Sequence, residues 1–118
     1  MQWTDKSIAF LRDAAAINRY YETIAERIAP QLPENAHICD AGCGIGELSL
    51  ALKPYCHHVT AVDADALAIK TLKAHLIEGV TARCGDMETL APEKPYDAMV
   101  FCLFGRTQDT LRIAKKQC

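Results

Sequence analysis

Half of the 118 residues are hydrophobic and 24% are charged, which gives the chain enough apolar material for one compact domain, residues 1–118, with a true core. Thirteen Lys and Arg against fifteen Asp and Glu leave a net charge of -2, and no basic run exceeds Lys115-Lys116, so the electrostatic footprint of a nucleic-acid binder is missing. Asp5, Lys6, Arg12, Asp13, Arg19, Glu22, Glu26 and Arg27 interrupt the first thirty residues too often for a signal peptide or a membrane span, and the expected compartment is the cytoplasm.

Along the chain, Ile17, Tyr21, Ile24 and Ile28 recur at helical spacing among charges at Arg19, Glu22, Glu26 and Arg27. That pattern predicts an amphipathic N-terminal segment within residues 1–33, as one helix or two, ended by Pro30 and Pro33. An alternation follows from residue 36. "HICDA" reads as a strand, "GELSLALKPY" as a helix, "HVTAVD" as a strand, "ALAIKTLKAHL" as a helix, "VTARC" as a strand and "YDAMVFCLF" as a strand after the turn "APEKP". Gln108 to Lys116 is charged with apolar Leu111, Ile113 and Ala114, and it predicts a last helix. Strand and helix alternating at this spacing mean parallel βαβ units, whose strands are covered on both faces and read as near-continuous apolar runs. The expected fold class is α/β, doubly wound around a mainly parallel sheet of four strands.

The first strand leads into "DAGCGIGELS". In such sheets ligands bind beyond the strand ends at the switch point beside the first strand. Gly42, Gly44 and Gly46 let the backbone turn sharply and approach a ligand closely, and the helix start behind them offers free N–H groups. A dinucleotide site would want G-x-G-x-x-G, but here the spacing is G-x-G-x-G and Glu47 fills the place of the third glycine. A carboxylate suits the helix dipole and repels a diphosphate. No G-K-[ST] follows, which excludes a nucleoside triphosphate loop. Asp63, twenty-three residues after Asp40, ends the second strand where a ribose would present two hydroxyls, and Asp86, another twenty-three on, follows the third, where it could take an adenine amino group with Met87 on the ring.

"DAGCGIG", "AVDAD", "CGDM" and "YDAMVFC", in this order and spacing, resemble the successive motifs of class I S-adenosylmethionine-dependent methyltransferases, over nearly the whole chain. The resemblance implies a Rossmann-like methyltransferase fold, S-adenosylmethionine as cofactor with S-adenosylhomocysteine as product, and methyl transfer to an acceptor, with a small molecule expected. It implies that Asp40 and the backbone of Gly42, Gly44 and Gly46 hold the methionyl part, that Asp63 holds the ribose, and that Asp86 and Met87 meet the adenine. Cys102 and Phe101 would lie near the sulfonium, and Tyr20 or Tyr21 would close over the cofactor. The "[DN]-P-P-[YF]" tetrad of amino-methylating relatives is absent, with "CLFG" in its place, which weighs against an adenine or amide nitrogen as acceptor.

Other readings stand beside these. Asp63 could cap the helix after it, although Asp65 is the better cap in "DADAL", and Asp86 could serve only a turn. Met87, Phe101 and the tyrosines have ordinary packing roles as alternatives. "CHH" at 56–58 puts adjacent residues where a metal needs convergent ones, so solvated side chains are expected, and His37 and His75 are expected at the surface. No C-x-x-C pair exists among the six cysteines, and reduced thiols, mostly packed as small apolar residues, are expected. The family continues through further strands, so the sequence reads as the cofactor-binding portion, and a fourth strand left at the edge predicts self-association. Two alternatives to an active methyltransferase follow: a non-catalytic cofactor-binding fragment or subunit of a split enzyme, and an NAD-dependent oxidoreductase domain.

Overall fold

The computed structural model describes residues 2–75, 77–92, 94–102 and 107–118. In chain order the elements are α1 (Asp5–Ile17), α2 (Tyr20–Ile28), β1 (His37–Ala41), α3 (Glu47–Leu52), β2 (His58–Asp63), α4 (Ala66–Lys73), β3 (Val80–Cys84), β4 (Ala98–Phe101) and α5 (Thr107–Gln117). Single 3-10 turns, Ala29–Gln31 and Lys53–Tyr55, extend α2 and α3, each with a proline in its first turn. The four strands form one parallel sheet in the order β3-β2-β1-β4. The expected doubly wound α/β fold is what the chain adopts, with β3 and β4 at the edges of the described sheet.

Two helices, not one, make up the N-terminal segment. Thr4 and Ser7 exchange hydrogen bonds in a capping box that starts α1, and Asn18 closes it in an extended conformation before its side chain accepts from the Tyr20 N–H at 3.0 Å. The break at Asn18 and Arg19 resets the helical phase. Ile17, expected on the buried stripe, is therefore 88% exposed, whereas Tyr21, Ile24 and Ile28 pack against the core. β4 is shorter than the expected run: Tyr96 and Asp97 precede it, Cys102 follows it, and Leu103 and Phe104 lie outside the described residues.

Both faces of the inner strand β1 are covered, which is why Ile38, Cys39, Asp40 and Ala41 are buried without alternation. On one face Ile38 and Val59 pack with Ala25 of α2 and Leu48 and Leu52 of α3. On the other, Cys39, Ala41 and Val62 pack with Met87, Tyr96 and Ile113 of α5. Burial of Ile38, Leu52 and Val59 stabilises the fold by about 1.5–3 kcal/mol each. A third cluster, Ile8, Ile45 and Ala68, joins α1 to the glycine turn and α4.

The expectation that His37 stands alone at the surface is corrected here. Half-buried at the start of β1, its Nε2 lies 2.8 Å from Thr60 Oγ1, and its ring meets those of His58 and Tyr96 edge to face at 5.4 and 5.1 Å. Parallel register brings His37 beside His58, a neighbour twenty-one positions away that spacing along the chain does not reveal. His57 and His75 are exposed. All six cysteines are free: Cys39 is buried, Cys43, Cys56 and Cys102 are half-buried, and Cys84 and Cys118 are exposed, so packing as a small apolar residue does not describe the last two.

Candidate functional site

The site grows from the ends of β1 and β2, which pair as far as Ala41 beside Val62. Val62 O accepts from the N–H groups of both Gly42 and Cys43, at 2.8 and 3.0 Å, which bends the chain off β1. The turn then closes with Gly46 N–H donating to Cys43 O at 3.0 Å. Gly46 caps α3 in the left-handed region (φ 87°), where a Cβ would overlap the Leu72 side chain. Gly44 is also left-handed (φ 57°), and a Cβ there would stand 2.6 Å from the Trp3 ring.

Around this turn three acids take distinct positions. Asp40, 1% exposed, accepts from Ser49 Oγ at 2.6 Å, and burial pushes its carboxyl up to about 6, with the nearby Asp63 adding to the rise against the Ser49 hydrogen bonds. Asp63 accepts from Gly44 N–H through Oδ2 at 2.8 Å and from Asp65 N–H through Oδ1 at 2.9 Å. Each of those oxygens keeps a second lone pair for a ligand hydroxyl. Asp65 caps α4 by accepting from Ala68 N–H at 3.0 Å and also accepts from Trp3 N–H at 2.9 Å; these two amides hold its carboxyl below the usual range.

A cleft of about 800 Å3 opens over the turn. Tyr21, Asp40, Gly42, Gly44, Asp63, Asp86, Met87 and Cys102, all assigned from the sequence, line it together; Gly46 lies beneath, packed on Leu72. Of the two candidate tyrosines, Tyr21 faces the cleft, while Tyr20 is 50% exposed and touches Tyr21 edge to face. Phe101 is corrected: strand alternation turns it to the opposite face, with Met99 and Ile113, while Cys102 lines the cleft. Asp86 lines the cleft, and its Oδ1 accepts from Glu88 N–H at 2.8 Å, which is the turn role weighed for it. Met87, 4% exposed, likewise packs with Cys39 and Val62 and reaches the cleft.

The lining also holds Trp3, Leu11, Cys43, Glu47 and Asp65, none of them given a ligand role by the sequence motifs. Ser49 is a further omission, because its contact with Asp40 arises only when α3 folds back over β1. Five carboxyl residues, Asp40, Glu47, Asp63, Asp65 and Asp86, line the cleft, and among the described lining residues there is no Lys, Arg or His. Burial raises the Glu47 carboxyl, partly offset by His75 and Arg12. Burial also raises the Tyr21 phenol and the Cys102 and Cys43 thiols, all of which stay protonated near neutral pH. Among the described residues no three His, Cys, Asp or Glu converge as metal ligands. Such a lining suits a cation carrying hydroxyl and amino donors, and it repels phosphate.

Comparison with known proteins fits this geometry. The profile of a family described as a methyltransferase domain matches residues 38–116, from β1 into α5. No curated protein matches the sequence at a significant level. Among solved structures, a TehB-like SAM-dependent methyltransferase from Corynebacterium glutamicum aligns over 95% of this chain and 80% of its own, with 20% identity and a TM-score of 0.73. CalS10, a SAM-bound amino pentose methyltransferase from Micromonospora echinaspora, aligns over 97% of this chain and 50% of its own (22% identity, TM-score 0.68). A SAM-dependent methyltransferase from Thiobacillus denitrificans in complex with S-adenosyl-L-homocysteine aligns over 82% and 42% (18% identity, TM-score 0.67). The chain thus spans most of the first structure and half or less of the other two, and at these identities the likeness establishes the fold. With the family profile covering well over half of its residues, the chain belongs to the methyltransferase-domain family.

Proposed function

We propose that this chain holds S-adenosylmethionine in the acid-lined cleft and serves methyl transfer to a small-molecule acceptor. The observation that carries the reading is the lining itself: a glycine turn with five carboxyl residues and no described base, facing a cofactor whose sulfonium and ammonium outweigh its one carboxylate. Bound there, the cofactor would supply an activated methyl carbon for in-line displacement. Asp63 would accept from the ribose hydroxyls, Asp86 from the adenine amino group beside Met87, and Asp40 with the turn at Gly42 and Gly44 would face the methionyl part. Tyr21 and Cys102, both neutral, would wall the reacting end and exclude water, which leaves alignment as the protein's main contribution. Six free thiols fit a reducing compartment, and we place the protein in the cytoplasm; no described helix is long and apolar enough to cross a membrane.

Methyltransferases of known structure that share the fold act on different acceptors, among them coclaurine and 23S rRNA. An RNA acceptor would bring phosphates towards an acidic cleft on a chain of net charge -2, which favours the small molecule. A second reading has its own support. Coverage of half or less of two matched structures favours a cofactor-binding portion whose acceptor surface is supplied by other segments. The dinucleotide alternative is disfavoured by family membership, by the glycine spacing and by Glu47.

Calorimetric titration with S-adenosylmethionine, S-adenosylhomocysteine and NADH tests the proposal. Saturable binding of the first two is expected, with none of the third. Asp63→Ala should weaken it roughly ten- to hundredfold, because a charged acceptor of ligand hydroxyls is lost. A folded chain that binds neither sulfur compound overturns the reading. Turnover that appears only on adding a partner would establish the second.

A further inference from the structure

Of the five acids that line the cleft, only Asp40 is buried, and a carboxylate so far from water needs a donor to stay charged. Among the described residues Ser49 alone bonds to it: the hydroxyl donates to Oδ2 at 2.6 Å, and the Ser49 N–H supports the same carboxylate. Ser49 is itself fully buried, in the first turn of α3, nine residues beyond Asp40. Leu48 and Leu52 on that helix pack with Ile38 and Val59, so the hydroxyl is carried by an element seated on the core.

No other group facing Asp40 favours its charge. Asp63, at the end of β2, repels it. Cys39 on β1, Cys43 in the turn, Tyr21 on α2 and Cys102 after β4 also face it, and burial raises all four, so they stay protonated near neutral pH. Glu47, on α3 and likewise raised by burial, lines the same cleft, and no Lys, Arg or His is among the described lining residues.

We propose that Ser49 is a positioning residue for the cofactor: its hydroxyl sets the orientation of the Asp40 carboxylate, which then meets the methionyl ammonium already aligned. The proposal rests on the cofactor reading above. Ser49 acts only through Asp40. A short hydrogen bond to a charged acceptor fixes the plane of the carboxylate before the ligand arrives, which removes the cost of ordering it on binding. The same bond favours the ionised form that an ammonium requires.

S-adenosylhomocysteine carries this ammonium without the sulfonium charge, so calorimetry with it from about pH 5 to about pH 9 reads the contact. In the parent chain affinity should rise through about pH 6. Ser49→Ala removes the donor; the rise should move up by about one pH unit or more, with roughly tenfold weaker binding at about pH 6. Ser49→Thr keeps a hydroxyl and should return the midpoint towards the parent value. Asp40→Asn should abolish the rise, and adding Ser49→Ala to it should cost less than about twofold in affinity, because no carboxylate is left to place. Parent affinity and midpoint in Ser49→Ala overturn the proposal. So does a loss that is equal at every pH and adds in full to that of Asp40→Asn, which is the mark of a packing role. If the folded parent chain gives no calorimetric binding, the cofactor reading falls. The tie between Ser49 and Asp40 is still judged by chemical denaturation of the ligand-free chain. The pH window over which stability is lost should extend upwards in Ser49→Ala, and an unchanged window overturns the tie.

Discussion

Asp40 is the residue with most of its chemistry fixed by burial. Its carboxyl ionises near pH about 6 in the free protein, above the ordinary aspartate value, so the folded chain binds that proton more tightly than the unfolded chain does. Stability from this group is present below about pH 4 and is lost as pH rises through about 6, by on the order of 3 kcal/mol. Chemical denaturation across that range should show the slope in the parent chain and lose it in Asp40→Asn. A cation bound beside Asp40 favours its charged form, so affinity for S-adenosylmethionine should rise through the same pH window. Gly46 is limited by packing in the same way. Gly46→Ala combines a left-handed backbone with overlap on Leu72 and should cost about 2 kcal/mol or more in equilibrium unfolding.

Among the elements, α5 sets the position of the loop that carries Asp86 and Met87. Ile113 seats the helix on the sheet, and Gln117, 3% exposed, donates from Nε2 to Met87 O at 2.8 Å and to Leu90 O at 3.0 Å. Arg112 adds a bidentate pair with Glu88, at 2.5 and 2.6 Å, on the exposed side. Gln117→Ala removes both bonds to the loop and leaves two carbonyls without them, a loss of about 2 kcal/mol. The expected result is a lowered melting temperature together with weaker binding of S-adenosylhomocysteine; a lowered melting temperature with unchanged affinity would show that the loop is held by its own turn at Asp86.

For the whole molecule the sign of the charge is informative. Net charge is only -2, yet five of the acids line one cleft, so the field that a ligand meets is stronger than composition suggests. S-adenosylmethionine carries a net positive charge and S-adenosylhomocysteine none. Affinity for the first should therefore fall with added salt while affinity for the second stays nearly constant, as measured by calorimetry from low to physiological ionic strength. Parallel salt dependences would mean that the acids are neutralised or screened before the ligand arrives.

Much of this protein was legible in its sequence because its signals are local. Apolar runs of strand length, three alternate glycines and an acid at the end of a strand are set by backbone sterics and by burial on both faces of a sheet, and neighbouring residues alone express them. The α/β fold, the four parallel strands and the grouping of Asp40, Asp63 and Asp86 at one edge follow from that. Tertiary structure alone decided what depends on distant contacts. The phase break at Asn18 put Ile17 in solvent and Tyr21 in the cleft, strand alternation turned Phe101 away, and parallel register drew His37 to His58. The placement of Trp3 over Gly44 belongs to the same class, since hydrogen bonds and packing between residues far apart in the chain exist only once the chain has folded.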